Sequence, residues 1–138
     1  MLPPGHIAAG YLVGYALLKI THPQITLSQT HILLWLGILF GFLPDLDMFV
    51  SFYRKGNFIL NKIERRLNHR YYISHAPLVW LTIGLIIYTF GATQFVRYIG
   101  LIIWLGSWSH FILDSLQHGI MWLWPFNSRL YAIKDKDA

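Results

Sequence analysis

Four apolar runs alternate with short polar breaks along the chain. The first extends from His6 to Ile20 and is rich in small residues (Ala8, Ala9, Gly10, Gly14, Ala16), which let helices approach closely in lipid. Pro3-Pro4-Gly5 precedes it, and proline suits the first turn of a helix. Thr21-His22-Pro23-Gln24 breaks the pattern, and a polar, uncharged link runs to about Thr30. The second run is His31 to Leu43, closed by Pro44, which predicts that the helix ends or bends there. The third is Ala76 to Phe90, with Pro77 near its start. After the turn Gly91-Ala92-Thr93-Gln94 the fourth goes from Phe95 to Leu116, interrupted by Ser107, Ser109, His110 and Asp114. Gly119 is expected to end that helix. No period-two alternation is long enough to predict a strand. The expected fold class is therefore all-α, a bundle of four main helices, in a single domain covering residues 1–138.

Composition moves this bundle into a membrane. Charged residues are 12% of the 138, against about 25% in an average soluble domain. Hydrophobic residues are 55% and the mean hydropathy is +0.46. A spanning helix needs ~20 mainly apolar residues. Runs three and four approach that length with their flanks. Runs one and two are shorter and need their polar ends near the interface, or a thinned bilayer. Charge placement favours four spans. The segment from Arg54 to Arg70 carries Arg54, Lys55, Lys62, Arg65, Arg66 and Arg70 against one acid, Glu64. It is expected to hold a short amphipathic helix over residues 61–67, so that a basic helical connection joins the second and third spans. With this segment on the cytoplasmic side, nine of the eleven Lys and Arg residues fall on that side, Arg129, Lys134 and Lys136 included. Only Lys19 and Arg97 fall at the other face. Both termini are then cytoplasmic, and Trp122, Trp124, Phe126 and Tyr131 suit an interfacial aromatic belt. No Lys or Arg precedes the first apolar residues, unlike an ordinary signal peptide.

The candidate chemistry lies at one end of this arrangement. Leu43-Pro44-Asp45-Leu46-Asp47 spends two of only six acids beside apolar residues. There is no cysteine, so a metal must be held by His, Asp or Glu. The threading sets His6 at the inner end of span one and Asp45 and Asp47 at the inner end of span two. It sets His69 and His75 at the inner start of span three, and His110 and Asp114 near the inner end of span four. His22 and His31 fall at the opposite end. His110 and Asp114 are four residues apart, so they project from one helix face about 6 Å apart, and His118 lies one turn further on. Imidazole with carboxylate is a ligand set for zinc, manganese or iron. Taken singly, each residue has a plainer reading: His110 as a satisfied core histidine, Asp45 as a cap, the basic cluster as a topology signal. Acids near a bilayer are costly unless paired or coordinated, and convergence of these residues on one face favours a metal site.

His6 with its small-residue helix, Leu43-Pro44-Asp45-Leu46-Asp47, His69-Arg70 with Ser74-His75, His110-x-x-x-Asp114, and Trp124-Pro125-Phe126-Asn127-Ser128-Arg129 together resemble, in order, the YdjM family of membrane-bound metal-dependent hydrolases. That family is similar to the all-helical zinc-dependent phospholipase C and P1 nuclease group. The resemblance runs from His6 to about Tyr131. It implies metal ligation by His6, Asp45, His69, His75, His110 and Asp114, with Asp47 as a ligand or as a partner behind one. Gly5 and Ser74 stand where relatives often carry threonine.

The expected function is hydrolysis of a phosphoester, on a lipid headgroup or lipid-linked phosphate, at the cytoplasmic membrane. One to three divalent ions, zinc first, would activate water. Arg70 would stabilise charge through its planar fork, and Asp47 would accept a proton. Membrane lipids are the expected partners. The basic segment carries no nucleic-acid recognition motif. The competing readings are an ion-handling or transport protein and a non-catalytic membrane scaffold.

Overall fold

Helix α1, Pro3–Thr21, begins with the paired prolines. Helix α2, Leu27–Phe42, follows. These elements come from a computed structural model that describes residues 3–47, 72–116 and 119–133. The predicted basic helical connection, including residues 61–67, lies outside the described residues.

Helix α2 starts four residues before the apolar run that predicts it. The reason is a capping box. The Gln29 N–H donates to Thr26 Oγ1 at 3.2 Å, and the Thr26 N–H donates to Gln29 Oε1 at 2.9 Å. Two otherwise orphaned donors are satisfied together, so Ser28, Gln29 and Thr30 form the first turn of the helix instead of a link. Pro44 acts as expected: α2 ends at Phe42 and tightens into a 3₁₀ turn over Leu43–Leu46. A second 3₁₀ turn, Ile73–His75, leads into helix α3, Pro77–Phe90, with proline in its first turn. Helix α4, Gln94–Ser115, is capped by Thr93, whose Oγ1 accepts the Val96 N–H at 3.2 Å. It ends before Gly119, which meets a different need: a Cβ there would lie 2.5 Å from that of Leu130. The following chain turns back on α4 through an antiparallel bridge between Ile120 and Tyr131 and through the Ile133 N–H, which donates to Ser115 O at 2.7 Å.

Among the described residues the fold is all-α, with four helices. Helix α4 is the hub: α1, α2 and α3 all pack on it, and α1 also packs on α2. Glycines set two of these contacts. A Cβ on Gly37 of α2 would lie 2.7 Å from Gly10 O of α1, and one on Gly41 would lie 2.6 Å from His6 O. Gly84 and Gly100 do the same for α3 against α4. Close backbone approach through small residues is how helices gain packing contacts where lipid removes the hydrophobic drive.

The polarity is inverted relative to a soluble bundle. Large apolar side chains face outward, with Leu12 60%, Trp35 69% and Phe90 81% exposed, while His6, Ser107, His110 and Asp114 are buried. Among the described residues two helical stretches are long and apolar enough to cross a membrane: Leu27–Leu46 and Gln94–Ser115. This reorders the expectation. The capping box lengthens the second run to spanning size, whereas the third stays at fourteen residues.

Candidate metal centre

The end of the bundle where α1 starts and α4 finishes is lined with imidazoles and carboxylates. Their placement follows from the local structure. His6 is held in the first turns of α1 by the Gly41 contact. Asp45 lies in the 3₁₀ turn imposed by Pro44. His75 lies in the turn before α3. His110 and Asp114 share one face of α4, one turn apart.

One ligand atom from each of Asp45, His75, His110 and Asp114 falls in a group whose members all lie within 4.8 Å of one another. His110 Nε2 is 3.6 Å from Asp45 Oδ1 and 3.8 Å from Asp114 Oδ2. His75 Nε2 is 4.0 Å from Asp45 Oδ1. His6 borders the group: its Nε2 is 3.3 Å from Asp114 Oδ1 and 4.0 Å from Asp45 Oδ2, and its ring stacks on that of His110 with centroids 4.0 Å apart. The three imidazoles are fully buried, whereas the Asp45 side chain is 18% exposed and marks the open side.

Two histidines are oriented from behind. His110 Nδ1 lies 3.0 Å from Gly41 O, so Nδ1 carries the proton and the Nε2 lone pair points at the carboxylates. His75 Nδ1 lies 2.7 Å from Asp47 Oδ2, which also accepts a hydrogen bond from the Ser74 hydroxyl. Metal-binding histidines characteristically donate their other ring N–H to a carboxylate or a carbonyl, and both versions occur here. Asp47 is thus not in the ligand group; its Oδ2 is taken up behind His75. The Trp80 indole donates to Ser74 O at 2.8 Å and the Trp108 indole to Pro77 O at 3.0 Å. These two bonds tie the His75 turn to α3 and α4. Phe111, fully buried, lies against the rings of His75 and His110.

The residues fit a divalent ion on one observation in particular. Both ring nitrogens of His6, and Nε2 of His110, are buried without a hydrogen bond. Buried polar atoms are normally satisfied, and a cation among two carboxylates and these imidazoles would satisfy them. The nitrogen and oxygen donors suit zinc, manganese or iron alike. His69 and Arg70, and His118, lie outside the described residues. Ser74, Gly41, Trp80 and Trp108 are the supporting residues that sequence reasoning does not reach. Only Ser74 carried a signal, its place beside His75.

A profile described as the YdjM inner membrane protein matches residues 1–136. The chain belongs to the YdjM family. The outward apolar surface and the two spanning-length helices accord with a membrane protein of this family. Comparison with curated proteins and with solved structures returned no match.

Proposed function

We propose that this YdjM-family protein is a membrane-bound, metal-dependent hydrolase of phosphoester bonds, working at the cytoplasmic face on a lipid headgroup or lipid-linked phosphate. The observation that carries the reading is the meeting of His6, Asp45, His75, His110 and Asp114, from four separate elements, with buried imidazole nitrogens of His6 and His110 left without hydrogen bonds. Asp45, His75, His110 and Asp114 would hold the ion, with His6 completing that site or contributing to a second. A divalent ion in such a site supplies Lewis acidity, polarising a phosphoryl oxygen and making water a competent nucleophile near neutral pH.

The chain's own residues do the rest. Asp47 keeps His75 in the tautomer that offers Nε2 to the centre. Its Oδ2 accepts from Ser74 and His75, which orients the ring, and its Oδ1, buried without a hydrogen bond, would be the atom that accepts a proton. Asp45, the most exposed of the group, lies where substrate would enter. Arg70 is assigned charge stabilisation on the strength of its neighbour His69 and its bidentate chemistry. Because the cluster lies at one end of the helices, a substrate reaching it from the interface need not cross the bilayer.

The test is metal content beside turnover. Detergent-purified protein should carry stoichiometric divalent metal, which Asp45→Asn and His110→Ala should lose. The wild type should hydrolyse a phosphodiester, phospholipid included, in a chelator-sensitive manner. A wild type that takes up no metal under any loading condition would refute the centre. A metal-replete protein inert towards phosphodiesters would refute the hydrolase reading and leave the centre standing.

A further inference from the structure

The far end of the bundle holds a second feature that the metal centre does not use. A cavity of about 470 Å³ opens there between the last turns of α1 and the first turns of α2. Its polar lining includes Lys19, His22 and His31, with the Tyr15 ring beside them; Leu18 and Leu34 form an apolar wall. His6 and Lys19 are thirteen residues apart on one helix, so this cavity lies ~20 Å along α1 from the centre.

Its electrostatics are one-sided. The described carboxylates are Asp45, Asp47 and Asp114, all at the other end. Among the described residues no acid lines the cavity. A cation is disfavoured by Lys19, and the two histidines lack the third ligand and the carboxylates that make up the centre at the opposite end. An oxyanion suits all three side chains, since an imidazole can offer an N–H in either protonation state and Lys offers three donors. His22 has φ 43° because it closes α1 in the left-handed conformation common just past a helix end, its N–H donating to Leu18 O at 3.1 Å, and this sets its imidazole at the cavity wall. The link over this cavity is fixed by the Gln24 N–H, which donates to Gln94 Oε1 at the start of α4, 3.0 Å away. The volume exceeds that of a single phosphate, and Ile32 and Trp35, on the same helix as His31 and Leu34, are exposed.

We propose that this cavity binds a phosphate oxyanion, with Lys19, His22 and His31 as its donors, and with room for the rest of a phosphodiester headgroup. The site is separate from the metal centre and does not depend on its activity.

Full-length protein in detergent is tested with three probes: phosphatidylglycerol, diacylglycerol and inorganic phosphate. Native mass spectrometry reads lipid retention, and ³¹P line broadening reads free phosphate. The expected result is retention of phosphatidylglycerol over diacylglycerol, weakened about tenfold by Lys19→Ala or His31→Ala, the loss of one charge-assisted hydrogen bond. Lys19→Arg should restore most of it. Phosphate broadening with the same dependence on Lys19, without preference among the lipids, assigns the site to free phosphate and also supports the proposal. Equal behaviour of wild type, Lys19→Ala and His31→Ala toward phosphatidylglycerol and phosphate would overturn it. Metal content should be unchanged in these variants, which separates loss of this site from loss of the fold or of the centre.

Discussion

Asp47 Oδ2 accepts from both Ser74 and His75, and that double role makes it a sensitive probe of the centre. Asp47→Ala would remove the carboxylate to which His75 Nδ1–H donates and loosen the hold on the ring's orientation. Loss of such an outer partner typically weakens metal binding 10–100-fold. A chelator competition titration should show a drop in that range for Asp47→Ala and a smaller one for Ser74→Ala, with the helix content of both preserved. Unchanged affinity in Asp47→Ala would mean that His75 is not a ligand. The residue scale also shows where sequence reading stops. The spacing of His110 and Asp114 announces a shared helix face because helical periodicity is local. The link from Asp47 to His75 spans 28 positions and the one from His110 to Gly41 spans 69. No local rule joins residues so far apart, and one of the two partners is a backbone carbonyl without a side-chain signature.

At the scale of elements, the histidine at the start of α1 depends on how closely α1 and α2 approach. Gly10, Gly37 and Gly41 permit that approach, and Gly41 touches the backbone of His6 itself. A methyl group at residue 37 would meet the Gly10 carbonyl at 2.7 Å, and backbone cannot move aside as a side chain can. Gly37→Ala should therefore force the helices apart at a cost of ~1–3 kcal/mol, typical of overpacking. Thermal unfolding should show a lower midpoint, and metal affinity should fall with it as His6 shifts. Thr26→Ala is the matched control: losing a cap costs ~1 kcal/mol far from the centre, so stability should fall while metal affinity holds. If the two variants affect metal binding alike, the glycine contact does not position His6. The small residues of α1 were legible as a packing face in the sequence. Their partners on α2 were less so, because Gly37 and Gly41 sit in an otherwise large-residue run. The start of α2 was also written in the sequence, as Thr26-x-x-Gln29, but local polarity masks it when hydrophobic periodicity is the guide.

At the scale of the whole molecule, apolar surface, helix lengths and charge combine into one expected topology. Helix α4, at 22 residues, is ~33 Å long, enough for a hydrocarbon core of ~30 Å. Helix α3, with 14 residues, is ~21 Å long and would reach across only with its flanking turn and some local thinning of the bilayer. Because α3 packs against α4 and turns into it through Gly91–Thr93, the longer helix can carry the shorter one. If all four helices cross, Gln24 and Ala92, in the two links, would lie on one side and Arg129 on the other, which the excess of Lys and Arg in the sequence would make the cytoplasmic side. The absence of native cysteine makes this directly measurable with single substitutions. In intact cells an impermeant maleimide should label Gln24→Cys and Ala92→Cys, and should label Arg129→Cys only after the membrane is opened. Labelling of all three from the same side would rule out four crossings. Labelling of Gln24→Cys and Arg129→Cys from opposite sides, with Ala92→Cys on the side of Arg129, would mean that α3 and α4 do not cross as a pair. The proposed hydrolase site would then need a different route for a substrate, because its open side beside Asp45 lies at the end of the bundle where α1 begins.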